Sequence, residues 1–263
     1  MKYPEDFINK IVCGDNLDLC KLIPNDTIDM CLCSPPYSDI RSYKGYTFDF
    51  PNLAKEITRI LKPGGSMIWV VGDKTQKGSE TLTPFRQAIY FKDVCGLNID
   101  TLIYKKDGIS WPHKNVYHNC FEFMFLVSKR NPKTFNGIKD KKNSQAGKTK
   151  KGRWERLKEG EVKFRNESYT VGEFGLRNNI WEYGVGYMKS TTDKIAFKHS
   201  AIFPDKLAYD CIYTWSNPGD LVLDPFSGSG TTCKQAKILG RNFIGLEISP
   251  EYVDISNQRL SLV

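Results

Sequence analysis

Residues 28–37, Ile-Asp-Met-Cys-Leu-Cys-Ser-Pro-Pro-Tyr, set the tightest limit on what this chain can fold into. Residues 28–33 are almost wholly apolar. A run that short and that apolar predicts a strand buried on both faces, as in a parallel sheet covered by helices. Proline cannot donate to a ladder, so the strand ends where Pro35 arrives. Ser34, Pro35, Pro36 and Tyr37 then stand at the carboxyl end of a central strand, where open α/β sheets hold ligands. The Ser34 hydroxyl, the Pro35 carbonyl and the Tyr37 ring suit a flat heterocycle gripped by its exocyclic amine and stacked on its face. Taken alone, the tetrapeptide reads as a stiff turn that ends a strand. A second stretch, far along the chain, reverses that reading.

Strand and helix patterns alternate around this run. Residues 11–15 read as a strand ending in Asp15, and 17–22 as a short helix. Leu53, Ile57, Ile60 and Leu61 have helical spacing, which Lys62-Pro63-Gly64-Gly65 interrupts before a strand over 66–73 that ends in Asp73. Residues 83–93 predict a helix. Residues 99–104 and 121–128 predict two strands, joined by a loop holding Trp111, Pro112 and His113. Residues 38–50, with Ser38, Asp39, Arg41, Tyr43 and Tyr46, have no period and predict a mobile loop over the site.

Composition shifts after Arg130. Residues 139–165 hold eleven Lys or Arg against four Asp or Glu, nearly the whole excess of +8 carried by the 263 residues. A charge run is usually a solvated face. Here it is interleaved with Trp154 and Phe164, which suits contact with phosphates, and Lys148, Lys150, Lys151 and Arg153 are the candidates for it. The chain divides accordingly into 1–130, a basic insert at 131–196, and 197–263. Trp111, Trp154 and Trp181 are expected to serve packing. No stretch of about 18 apolar residues predicts a membrane span, and the first residues do not read as a secretory signal. Eight cysteines without a C-x-x-C pair, and only three histidines, argue against a zinc site and for reduced thiols in the cytoplasm.

Regular pattern returns with a helix over 205–215 and a buried strand over 221–226. Asp224-Pro225-Phe226-Ser227-Gly228-Ser229-Gly230-Thr231-Thr232 is a strand end, a glycine turn and a helix start, a shape that lets backbone approach a ligand closely. Glu247 follows Asp224 by 23 residues at the end of the next strand, where an acid can take both ribose hydroxyls. Cys233 stands where a third glycine would complete a dinucleotide pattern. Asp224 would repel a pyrophosphate but attract an ammonium. The ligand should therefore join an amino acid to a nucleoside, as S-adenosylmethionine does.

With both stretches in hand, the chain resembles the S-adenosylmethionine-dependent DNA amino-methyltransferases, in the permuted group often called beta. Ser34-Pro35-Pro36-Tyr37 matches the family's catalytic motif, and residues 224–230 match its cofactor motif. The resemblance covers about residues 9–130 and 197–260. It implies an α/β fold with a mostly parallel, Rossmann-like methyltransferase sheet, circularly permuted to begin at the third strand, with an inserted target-recognition region. It implies that Asp15 meets the adenine amine and that Phe203 contacts the cofactor. Asp224, Pro225, Phe226, Gly228, Gly230, Thr231 and Glu247 would complete that site. His199-Ser200 stands where the family usually has His-Pro. The implied reaction moves a methyl group to the exocyclic amine of a flipped-out base. Ser34 and the Pro35 carbonyl would accept the amine hydrogens, and Tyr37 would stack. Asp73 reads equally as a proton relay or as the cap of a turn. A serine before Pro-Pro-Tyr goes mainly with cytosine N4 in this family, and adenine N6 is the alternative. Cys33 should point into the sheet, unlike the nucleophile of a 5-carbon cytosine methyltransferase. The partners implied are double-stranded DNA and a restriction endonuclease of the same specificity, in restriction-modification or phage DNA protection. A catalytically inactive DNA-binding relative is the non-enzyme alternative.

Overall fold

A computed structural model describes residues 1–36, 49–108, 117–157, 160–199 and 201–263. Tyr37, most of the 38–50 loop, Trp111 to His113 and Ser200 lie outside the described residues. The larger unit, Met1–Asn136 with Asn179–Val263, is built on an eight-stranded sheet. Across the sheet run β1 (Lys10–Cys13), β14 (Asn242–Glu247), β13 (Leu221–Asp224), β2 (Ile28–Cys33), β3 (Leu61–Val71), β7 (Phe121–Ser128), β6 (Asn98–Lys106) and β12 (Ile180–Tyr183). The first five are parallel neighbours, β7 runs antiparallel to β3 and β6, and β12 is parallel to β6. The apolar run that opened the sequence reading thus sits between two parallel neighbours, β13 and β3.

Its alternate side chains feed two cores. Cys31 and Cys33 join Phe7, Ile57, Trp69 and Phe91 on one face, with α1 (Asn16–Lys21), α2 (Phe50–Ile60) and α3 (Thr83–Asp93). Met30 and Leu32 join Ile68, Leu207, Ile212 and Trp215 on the other, with α4 (Asp205–Trp215), α5 (Thr231–Ile238) and α6 (Pro250–Leu260). A two-residue hairpin, β4 (Thr75–Gln76) and β5 (Ser79–Glu80), follows β3.

One boundary differs from expectation. Lys62-Pro63-Gly64-Gly65 does not precede the strand but lies within β3 as an irregularity: Ile28 faces Leu61, yet Met30 already faces Ser66. The extra residues let Lys62 reach both carboxylate oxygens of Asp29 at 2.7 Å. A Cβ on Gly65 would come within 2.9 Å of the Lys62 carbonyl, so the tight path needs glycine there.

The smaller unit is Gly137–Asn178. It contains two antiparallel pairs, β8 (Lys139–Lys142) with β11 (Phe174–Leu176), and β9 (Thr149–Arg156) with β10 (Val162–Thr170). It is narrower than the 131–196 insert expected from composition, because β12 returns to the main sheet. Trp181 of β12 is buried there, its ring 5.7 Å from and nearly parallel to that of Trp215. Among the described residues no helix is long and apolar enough to cross a membrane, and no His, Cys, Asp or Glu cluster suits a metal ion.

Candidate active site

A cavity of about 1240 Å³ opens at the carboxyl ends of β14, β13 and β2. Ser34, Pro35, Pro36 and Asp73 line it together with residues 224–228, Thr231, Glu247 and Phe203. Two stretches separated by nearly 190 residues therefore share one wall, because β13 lies beside β2.

Asp224 is 5% exposed at the tip of β13, and one carboxylate oxygen accepts from the Phe226 N–H at 3.0 Å. Burial pushes its carboxyl up to about 7, against the Thr232 and Phe226 hydrogen bonds, with Glu247 adding repulsion. A carboxyl so reluctant to ionise alone is poised for an incoming cation. Glu247 accepts from Gly228 N at 2.8 Å through one oxygen and from Ser249 N at 2.9 Å through the other. Burial raises its pKa while these N–H groups oppose the rise. Each oxygen keeps a further lone pair for a vicinal diol. The turn between them, at Gly228 and Gly230, has φ of 51° and 77°. A Cβ on Gly228 would press within 2.9 Å of His199 Nε2, and one on Gly230 within 2.9 Å of Ser256 Oγ.

Asp15, which the resemblance implies for the adenine amine, stands between β1 and α1. It caps α1, accepting from Leu17 N at 2.9 Å and Asp18 N at 3.1 Å, while its neighbours Gly14 and Asn16 line the cavity. The buried Asn16 amide in turn donates to the Pro225 carbonyl at 3.1 Å, tying this corner to the glycine turn. The acid two residues before Leu17 carried a helix-cap signal in the sequence.

Behind the turn stands a cluster that sequence reading did not find. Arg259 of α6 is fully buried and donates through Nη1 to the Ser229 carbonyl at 2.7 Å and to Thr231 Oγ1 at 2.8 Å. Its remaining nitrogens pair with Asp193 at 3.0 Å and Asp205 at 3.0 Å. Lys234 of α5 bridges the same two carboxylates at 2.6 and 3.1 Å. Two cations and two anions balance, which is what makes their burial affordable. Their partners lie across tens of residues with no local period, so nothing in the sequence announces them.

Toward the other end, Asp73 accepts from Lys74 N at 2.8 Å, Thr81 Oγ1 at 2.6 Å and Leu82 N at 3.1 Å. These bonds are those of a turn cap, although Asp73 also borders the cavity. Lys106 and Glu122 form an ion pair on the cavity wall at the tips of β6 and β7. The Cys33 thiol is 1% exposed and held well above its ordinary pKa by burial, so it remains protonated. A thiolate mechanism has no nucleophile in this loop. In the smaller unit Lys148, Lys150, Lys151 and Arg153 lie on or beside β9 and are solvent-facing.

Residues 28–258 match the family model described as DNA methylase, nearly the whole chain. The chain is 53% identical over 237 residues to the orphan methyltransferase M.BamHII of Bacillus amyloliquefaciens, covering 89% of each. Among solved structures, PvuII DNA methyltransferase (cytosine-N4-specific) superposes with a TM-score of 0.68 at 21% identity, over 95% of this chain and 85% of that one. The S-adenosylmethionine complex of M1.HpyAVI does so with a TM-score of 0.60 at 22% identity, over 95% and 99%. With the paired carboxylates, the glycine turn and the Ser-Pro-Pro rim in one cavity, this protein belongs to the family of N6- and N4-directed DNA methyltransferases.

Proposed function

We propose that this protein transfers a methyl group from S-adenosylmethionine to the exocyclic N4 of a flipped-out cytosine in double-stranded DNA. The observation that carries the reading is the shared cavity wall, where Ser34 and Pro35 sit one strand from Asp224. The residues present fit the cofactor: Asp224 suits its ammonium, Glu247 its ribose hydroxyls, and the glycine turn leaves room for the link between them. When bound, S-adenosylmethionine supplies an electrophilic methyl group on a sulfonium. Gly14 and Asn16 border the space where the adenine would lie, and Asp15 between them is assigned to its amine. Phe203 and Phe226 offer apolar walls.

Ser34 Oγ and the Pro35 carbonyl accept the hydrogens of the target amine, pulling its lone pair out of conjugation with the ring. Pro36 fixes the loop, and Tyr37 stacks on the base. A rigid rim of this kind contributes mainly by alignment. The proton shed by the methylated amine leaves to solvent or through Asp73, which borders the cavity and whose Oδ2 accepts a single hydrogen bond, from Leu82 N. The serine hydroxyl can donate to the N3 acceptor beside the cytosine amine where an aspartate would repel it; adenine offers N1 in the same way, so the choice of cytosine rests on the family's association of serine before Pro-Pro-Tyr with N4. The cytosine-N4 specificity named for the PvuII enzyme agrees with this choice. The order of strands, with β1 beside β14, suits the permuted beta group. Restriction-modification is the setting that the type II relatives suggest, with an endonuclease of the same specificity as partner, whereas the 53% identical relative is named an orphan, which suggests methylation without one.

Digesting DNA from cells that express the protein to nucleosides, and weighing them, tests the reading. N4-methylcytosine is the expected product; N6-methyladenine in its place would move the reaction to the other amine. The basic strand β9 is assigned to the phosphate backbone. Replacing Lys148, Lys150, Lys151 and Arg153 with alanine should weaken DNA binding and reduce the slope of log affinity against log salt by up to about 0.9 per lost contact.

A further inference from the structure

The β9–β10 ribbon is more than a row of charges. Trp154 and Phe164 are directly paired across its strands, with ring centroids 5.1 Å apart. Paired residues share a face, and so do residues two apart on one strand. Val162 and Arg156, the next such pair, therefore extend the same face. Its apolar members are strongly exposed: Trp154 71%, Val162 53% and Phe164 47%. Sequence reasoning expected Trp154 to serve packing, and the structure corrects this. The Phe164 ring lies across Gly152, where φ is 71° and an added Cβ would come within 2.1 Å of the ring. The glycine thus seats one ring, and the seated ring holds its tryptophan partner in place. Aromatic surface held this way loses little entropy on binding.

We propose that this face is a stacking surface for unpaired bases of DNA, a role that rests on the ribbon's assignment to DNA. Charge selects the partner. The opposite face carries Arg153 paired with Arg165, and residues 139–165 hold eleven cations against four anions. Two copies of so basic a ribbon repel, which disfavours self-association through the aromatic pair. A polyanion whose bases become exposed matches both halves of the surface: its phosphates meet the cations and its π-faces meet Trp154 and Phe164. A duplex opened by base flipping presents such bases.

The test compares an intact duplex of mixed sequence with the same duplex carrying a short unpaired bubble. Wild-type protein should bind the bubble about tenfold more tightly, the scale of one stacked base. The Trp154→Ala/Phe164→Ala variant should lose that preference while keeping its affinity for intact duplex, its salt slope and its affinity for S-adenosylmethionine. Trp154→Phe should retain most of the preference. A preference that survives the double variant, or is missing from the wild type, overturns the proposal. So does a change of the variant's oligomeric state in sedimentation, which would assign the face to a second copy. If the alanine set at Lys148, Lys150, Lys151 and Arg153 lowers the salt slope while the aromatic variant changes nothing, the ribbon's DNA role stands and the stacking role falls. If neither set changes DNA binding, the assignment of the ribbon falls as well.

Discussion

The glycine turn and the β9–β10 ribbon are both rich in charge, and they use it in opposite ways. Around the turn the ions are largely shielded: Arg259 is fully buried, and Lys234, Asp193 and Asp205 keep 9%, 13% and 21% of their side-chain exposure. On the ribbon the ions stand in solvent, and Arg165 with Glu155 at 2.8 Å is a surface pair whose members keep 42% and 37% of their side-chain exposure. A buried pair fixes geometry because no water can replace a lost partner, whereas a surface pair is exchanged with little loss. The cofactor end is thus held to one shape. The ribbon can exchange its ion pairs with little loss.

The strongest way to break this contrast is to remove one ion from each region. Arg259→Met leaves two partly buried carboxylates with one cation, and should cost about 3 kcal/mol in urea unfolding. It should also loosen Ser229 and Thr231, so the affinity for S-adenosylmethionine should fall even where the protein is fully folded. A stability loss below about 1 kcal/mol would mean that the turn is no better held than the ribbon.

Next in size is Glu247→Ala. Loss of a bidentate acceptor in a buried site should weaken S-adenosylmethionine binding by about 1–3 kcal/mol in calorimetry. Tyr37→Ala should leave that affinity nearly intact while abolishing methylation. If the two effects were interchanged, the assignment of the two rims would be reversed.

Proton linkage at Asp224 is smaller. The raised folded-state pKa means that Asp224 favours the folded protein without ligand at low pH, an advantage lost as pH rises through about 7. Binding a cation needs the carboxylate. Affinity for S-adenosylmethionine should therefore drop about tenfold per pH unit below about 7, with proton release on binding in calorimetry at that pH. An affinity flat from pH 5.5 to 7 would show that Asp224 is already ionised without ligand. The least effect belongs to Arg165→Met on the ribbon, which should change unfolding stability by no more than about 1 kcal/mol.

What was legible in the sequence follows the same division. The strand at Ile28–Cys33, the glycine turn and the acid 23 residues after Asp224 could be read because each is a local pattern with a steric or electrostatic reason. The bounds of α3 and α4 were legible for a like reason, Pro84 and Pro204 fixing their starts. Asp15 was seen as an acid at a strand end, but its service as the cap of α1 through Oδ1 was not read. The start of β3 was missed because Lys62-Pro63-Gly64-Gly65 looks like a turn, and only Asp29, on another strand, explains why the chain bulges there instead. β12 was absorbed into the basic insert because four residues are too few to show a period beside so much charge. Arg259 was not legible at all, since it depends on partners far away in the chain; Trp154 was noticed among the charges, but its exposure was not foreseen, since it depends on having none of the core to pack into.

The threading of β13 between β2 and β14 also has a consequence in time. β2 has only β3 at its side until residues 221–224 emerge, about 190 residues after β2 itself. At about 5–20 residues per second of synthesis, that interval is about 10–40 s. Through it the strand bearing Ser34 has one edge unpaired, a template for pairing with another chain. Cofactor rim and base rim then come together in the same event that closes that edge. A chain stalled before β13 would be exposed to aggregation and silent in methylation at once, so no half-made molecule could mark DNA.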